Sequence, residues 1–183
     1  MKPFFKKRQK GFTLVELGIV VAIAAVIIGI ALAVVPALLA STRANAEISQ
    51  LPTVTTKIQR AYANAANFAA VTTAAVVNLN VFPDSQVDKV AVTISNRWGG
   101  SVTVAPATLV NANDGVAITE TLIPTAECLQ IGQGVEGFMR KIAVGTAPGI
   151  VVKVDGTATT DPVKLGTECQ KTNANTMIFT VGK

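Results

Sequence analysis

An uncharged apolar segment near the N-terminus constrains this chain more than any other feature. It runs from Leu17 to Ala40, 24 residues without a formal charge. An α-helix needs about 20 apolar residues to cross the hydrocarbon core of a bilayer, so the segment predicts a membrane-spanning helix. Basic residues that precede a span tend to stay in the cytoplasm, which places everything after Ser41 outside it.

The positive charge of the chain is concentrated before this segment. There are 16 lysines and arginines against 11 acidic residues, and five of the basic residues precede Gly11. The rest of the chain is therefore formally neutral. A basic surface for a nucleic-acid partner is not expected, because the excess charge is confined to the first ten residues.

A cleaved secretory signal is the competing interpretation of this N-terminus. Small residues around Ala40 to Ala46 would supply its cleavage site. The apolar run is longer than the hydrophobic region of such a signal, and a signal has no use for the acid at its start, Glu16.

The segment 41–67 predicts an amphipathic helix that continues the span. Apolar residues recur at spacings of three and four, at Ile48, Leu51, Val54 and Ile58. The charged residues fall on other faces: Glu47, Lys57 and Arg60. Pro36 and Pro52 predict bends and not breaks.

The remainder alternates in the manner of β-strands. Strands are predicted over 89–95, 101–105, 115–123, 149–156 and 176–183, with a smaller helix within 124–143. The NRWGG stretch at 96–100 predicts the turn of a hairpin. The fold class is α+β: a long N-terminal helix packed on an antiparallel sheet.

Residues with catalytic chemistry are scarce. The sequence has no histidine, which removes a catalytic triad and a histidine metal site, and the acids after position 84 are scattered. GQGVEG at 132–137 matches G-x-G-x-x-G, but the residues before it do not favour a buried strand of a βαβ unit. Close helix packing is the simpler explanation of these glycines. We expect no catalysis, cofactor or metal.

The two cysteines, Cys128 and Cys169, follow the span and so face an oxidising compartment. A disulfide is the expectation, and two buried thiols are the alternative. Without a histidine, two thiols cannot complete a tetrahedral metal site.

Glu16 lies just inside the apolar run, where a carboxylate is costly. One interpretation is a side chain that reaches the lipid headgroups. The other begins with cleavage between Gly11 and Phe12, which creates an α-ammonium at Phe12. That amine, on a neighbouring staggered copy, would pair with Glu16. The charge pattern then predicts processing followed by self-association.

These residues resemble the leader junction of type IV prepilins. In KGFTLVELGIVV, basic residues and Gly11 precede the cut, Phe12 is the methylated terminus, and Glu16 is the fifth residue of the mature chain. The resemblance implies a lollipop fold with a leader over 1–11, a transmembrane and filament-core helix over 12–40, and a head over 41–183. It also matches Cys128 and Cys169 to the pair that bounds the family's disulfide region.

The resemblance also implies partners and a location. A prepilin peptidase, which also methylates, would process the chain, and the subunit would wait in the inner membrane of a Gram-negative cell with its head in the periplasm. A cytoplasmic assembly ATPase and its membrane platform would then extrude a helical homopolymer, an extracellular pilus for adherence, conjugation or related functions.

Several functions remain open at this level. TAECLQIGQGVEGFM and the 96–100 turn resemble type IVb pilins, whereas an 11-residue leader and a mature Phe12 are more like type IVa. The alternatives to a major structural subunit are a minor or tip pilin, a pseudopilin of type II secretion, and a singly anchored envelope protein that binds a ligand. The cysteine pair counts against the pseudopilin.

Overall fold

The computed structural model describes residues 13–183. The chain divides into two compact units, Met1–Leu39 and Ala40–Lys183. Helix α1, Leu14–Ala61, contributes to both and continues through Pro36 and Pro52 without a break. We call residues 40–183 the head domain.

The described part of the first unit is one apolar helical segment. Its large apolar side chains are exposed all round, as at Leu17, Ile23 and Leu32. A helix that is apolar on every face is suited to lipid or to other apolar helices, because neither environment requires a polar side. Within residues 13–183, α1 is the one helix long and apolar enough to cross a membrane.

The head domain consists of the second part of α1, three short helices and a seven-stranded sheet. The helices are α2 Thr73–Asn78, α3 Thr125–Gly134 and α4 Pro162–Cys169. The strands are β1 Val87–Asp88, β2 Thr93–Ser95, β3 Ser101–Ala107, β4 Gly115–Ile123, β5 Lys141–Val144, β6 Ile150–Lys153 and β7 Asn175–Gly182. A single turn of 3₁₀-helix spans 84–86.

The sheet is antiparallel throughout, in the order β1-β2-β3-β4-β7-β5-β6. The last strand, β7, pairs with both β4 and β5 and so joins the two halves of the sheet. A strand with neighbours on both sides satisfies all its backbone groups, and β7 is buried along most of its length. The two halves of the sheet therefore meet only through β7.

The amphipathic helix packs as its spacing predicts. Leu51, Val54 and Ile58 of α1 are all buried, and they share one core with the inward side chains of β3, β4 and β7. The predicted helix is too long by six residues, since α1 ends at Ala61. Asn67 follows in a turn, where its side chain accepts a hydrogen bond from the Ala69 amide, a local bond that competes with helix.

Two other predicted boundaries are wrong. The strand predicted over 89–95 is formed only by β2, because the Asp88 carboxylate accepts hydrogen bonds from the Val90 and Ala91 amides and holds a turn. The helix predicted within 124–143 ends at Gly134, and the residues from Lys141 form β5 because they pair with β7.

Candidate functional site

The first turn of α1 carries a capping box. Thr13 immediately precedes the helix, and its Oγ1 accepts a hydrogen bond from the Glu16 amide at 3.2 Å. In return, the Glu16 carboxylate accepts a longer one, 3.5 Å, from the Thr13 amide. This reciprocal arrangement satisfies amides that the helix leaves unpaired, and it places a negative charge at the positive end of the helix dipole.

Glu16 therefore has a local structural role that sequence reasoning missed, although the T-x-x-E spacing was its signal. Both Thr13 and Glu16 are exposed. The predicted cleavage residues Gly11 and Phe12 lie outside the described residues. The structure consequently describes one of the three predicted leader-junction residues.

Cys128 and Cys169 are joined by a disulfide, with their Cα atoms 5.8 Å apart and 41 residues apart in sequence. Cys128 lies in α3 and Cys169 ends α4, and both side chains are fully buried. The bond encloses β5, β6 and α4, so it closes the C-terminal half of the head domain into one loop.

The glycine motif at 132–137 serves packing. Gly132 and Gly134 lie within α3 itself, not between a strand and a helix as phosphate binding would require. A Cβ atom on Gly132 would lie 2.7 Å from a Leu165 methyl, and one on Gly134 would lie 2.8 Å from Ile48 Cγ1. Gly137 has open space at the same position.

The 96–100 turn connects three elements of the head domain, and we call it the latch. Asn96 Oδ1 accepts hydrogen bonds from the Trp98 and Gly100 amides, and its Nδ2 donates to the Thr121 carbonyl oxygen of β4 at 2.7 Å. Trp98 Nε1 donates to Glu127 of α3 at 3.3 Å. The sequence indicated a turn here but not these connections.

Arg97 joins the latch to α1. Its Nε donates to Glu47 Oε2 at 3.2 Å, and its Nη2 donates to Gln50 Oε1 at 2.7 Å. Its own side chain is about one-third exposed, whereas that of Glu47 is buried. The latch thus fixes α1 to the sheet through a partly desolvated ion pair.

Glu47 was predicted to lie on a polar face of the helix, and this is wrong. Only 1% of Glu47 is exposed, and 0% of Glu120 on β4. Burial raises the pKa of Glu47, while Arg97 lowers it. Burial, and then the adjacent Glu47 carboxylate, raise the pKa of Glu120 well above its usual range. The signal for Glu120 was its alternation: it follows Val116 and Ile118 at intervals of two and so shares their face of β4.

An apolar N-terminal helix that continues into an antiparallel head domain closed by a disulfide defines a class, the type IV pilins. Residues 6–32 match the prokaryotic N-terminal methylation motif, and residues 41–182 match the family described as PilS N terminal. The chain belongs to this PilS family.

Relatives of known role agree with this assignment. The chain is 26% identical over 138 residues to the major structural subunit of the bundle-forming pilus of Escherichia coli O127:H6, strain E2348/69. The match covers 73% of this chain and 71% of the relative. The corresponding subunit from Escherichia coli O111:H- matches over the same shares at the same identity.

Solved structures share the fold. A type IV b pilin from Salmonella typhi superposes with a TM-score of 0.55 at 22% identity, over 74% of this chain and 97% of that one. TcpA, a type IV pilin from Vibrio cholerae El Tor biotype, gives a TM-score of 0.57 at 15% identity, over 77% of this chain and 99% of the other. The chain therefore has the fold of these type IV pilins.

Proposed function

We propose that this type IV pilin is a major structural subunit that is cut between Gly11 and Phe12 and methylated at Phe12. Residues 1–11 are then the leader, 12–40 the membrane and filament-core helix, and 41–183 the head. The match to the methylation motif over residues 6–32 carries this proposal. The Escherichia coli relatives are described as major structural subunits, which supports a structural role over a catalytic or minor one.

The subunit is proposed to wait in the inner membrane of a Gram-negative cell, with its head in the periplasm. Large apolar side chains are exposed on every side of α1 between Leu14 and Leu39. This supports both a stage in the membrane and a later stage in the filament. Lipid and neighbouring helices are equally apolar, so the helix exchanges one for the other at modest cost in free energy. Prepilin peptidase, an assembly ATPase and its membrane platform are the proposed partners before polymerisation into a pilus for adherence, conjugation or related functions.

Glu16 is proposed to pair with the α-ammonium of Phe12 on a neighbouring subunit. Its carboxylate is exposed in the single chain and sits at the start of an apolar helix. Once other helices replace lipid around it, an unpaired charge there is strongly unfavourable, and a cation is required.

The processing step is tested by substituting Gly11→Ser in cells that carry the assembly machinery. We expect uncut protein in the membrane fraction and no sheared filaments, because Gly11 matches the residue that prepilin peptidase needs before the cut. Mass spectrometry of the wild-type filaments should find an N-methylated Phe12. A mature Phe12 terminus in the Gly11→Ser variant, or Met1 in wild-type filaments, would contradict the proposal.

Two variants separate the two roles of Glu16. Glu16→Gln retains a capping-box side chain but removes the charge, whereas Thr13→Ala removes the cap and keeps the charge. If charge pairing drives assembly, Glu16→Gln is processed yet yields no filaments, and Thr13→Ala assembles. The reverse pattern in electron micrographs of sheared material would show that Glu16 acts through the cap alone.

A further inference from the structure

We propose that Glu47 and Glu120 share a proton in the folded head domain and so form a proton-dependent joint between α1 and β4. This contact between α1 and β4 is most stable at mildly acidic pH, and its stability falls as the pH rises.

The position of Glu120 is that of a core residue. It follows Val116 and Ile118 at intervals of two on the buried face of β4. Its register partners on the neighbouring strands are apolar, Val102 on β3 and Met177 on β7. Neither of these two partners offers a polar side chain to Glu120, whereas Glu47 of α1 and Asn96 and Arg97 of the latch act on its pKa.

Among residues 13–183, neither carboxylate oxygen of Glu120 forms a hydrogen bond of standard geometry, and both oxygens are buried. Two ionised carboxylates have no hydrogen to share, so they cannot bond to one another. Glu47, itself buried, is the acid that acts on the pKa of Glu120 through its charge and through hydrogen bonding. A proton held by either carboxyl converts this contact into an O–H···O bond and satisfies the buried oxygens.

The charges around the pair require the same proton. Arg97 is the cation that faces both carboxyls, and it donates to Glu47 and to Gln50. With both acids ionised, the cluster carries a net negative charge in a desolvated site, and one proton neutralises it. Asn96 and Arg97 favour the ionised form of Glu120 to a lesser extent than burial opposes it. Glu127 on α3 is another acid beside the latch, and its carboxylate already accepts a hydrogen bond from Trp98 Nε1.

The sign of the pH dependence follows from proton binding. The pKa of a glutamate in the unfolded chain is about 4.5, and burial raises the pKa of Glu120 and of Glu47 in the folded state. Between the two values the folded state binds more protons than the unfolded state. The stabilisation from this pair is therefore fully present below the pKa of the unfolded state, and it is lost as the pH rises through the pKa of the folded state.

Few other groups of this sequence titrate between about pH 5 and about pH 8. It contains no histidine. The acids whose pKa values hydrogen bonds lower titrate below the range: Asp88, Asp114, Glu136 and Asp161. The α-amino group also titrates between about pH 5 and about pH 8, so a change of stability in this range is assigned to the buried pair where substitution of Glu120 removes it.

The test uses the full chain in dodecyl maltoside, unfolded with guanidinium chloride at several pH values. Trp98 is the sole tryptophan of the sequence and lies in the latch beside Arg97, so its fluorescence reports the joint directly. We expect the folding equilibrium constant to fall by up to about tenfold per pH unit within that range, the value for one proton. Glu120→Gln should remove this slope.

The matched control is Glu168→Gln, because Glu168 is a half-buried acid of α4 that pairs with Lys171 and not with the joint. It should retain the wild-type slope. A wild-type constant that is flat or rises with pH, or a slope that persists in Glu120→Gln, would overturn the proposal. If Glu120→Gln does not fold, infrared spectra of the wild type at about pH 6 decide. They must show a protonated carboxyl band that disappears on unfolding, and its absence would refute the shared proton.

Discussion

Opening the disulfide between Cys128 and Cys169 should destabilise the head domain by an amount that the loop length sets. The two residues are 41 apart in sequence. In the chain-entropy model, a closed loop of this size stabilises the folded state by about 4 kcal/mol, because it restricts the unfolded chain. For a chain of this size, that corresponds to a melting temperature lower by roughly 10 °C.

The measurement compares the oxidised wild type with the same protein after reduction, by guanidinium unfolding followed through Trp98 fluorescence. Reduction keeps both buried sulfur atoms, so it tests loop closure without a loss of packing. The double variant Cys128→Ala and Cys169→Ala removes the sulfurs as well and should be less stable than the reduced wild type.

The double cysteine variant also supplies a control, because added reductant should not change its stability. A reduced wild type within about 1 kcal/mol of the oxidised protein would refute the entropic argument. It would mean that contacts made by α3 and α4 already hold the C-terminal loop in the unfolded ensemble.

Three glycine substitutions test close packing in the head domain. Gly134→Ala should cost about 1 to 3 kcal/mol, because its Cβ would overlap the Ile48 side chain of α1, whereas Gly137→Ala in the same motif should stay within about 0.5 kcal/mol. Equal melting temperatures for these two variants would contradict the packing role. Gly100→Ala should cost about 3 kcal/mol or more, because its Cβ would lie 2.6 Å from the carbonyl carbon of Thr121, which is fixed in the sheet. A melting temperature equal to the wild type would show that the latch can shift away from β4.

Several elements could be predicted because their signals are local. Strand β4 has the bounds that its alternation gave, Gly115–Ile123, and the turn at 96–100 lies where two glycines follow a tryptophan. The buried stripe of α1 follows from its spacing of three and four. Helix α4 was missed, since its signal is one Asp161 cap before Pro162 and its amphipathic pattern is only eight residues long.

Other assignments failed because pairing partners are distant in sequence. The residues from Lys141 continue a helical pattern in the sequence. They form a strand because they pair with β7, which lies nearly 40 residues later in the chain. The failure at Glu47 has a different cause: it lies four residues before Leu51 and seven before Val54, which is the spacing of the buried stripe of α1, and only its charge suggested an exposed position.

The sequence by itself carries the apolar N-terminal helix and the match to the methylation motif. These features are a run of 24 uncharged residues, a basic block before it and one acid at its start. They can be recognised from length and charge alone, because they do not depend on tertiary contacts. The tertiary structure alone decided which buried acids lie beside one another. Glu47 and Glu120 are 73 residues apart in sequence and meet only when α1 docks on a sheet that β7 has closed. Burial depends on the residues that cover a side chain, and in a sheet of non-sequential strands those residues come from distant parts of the chain.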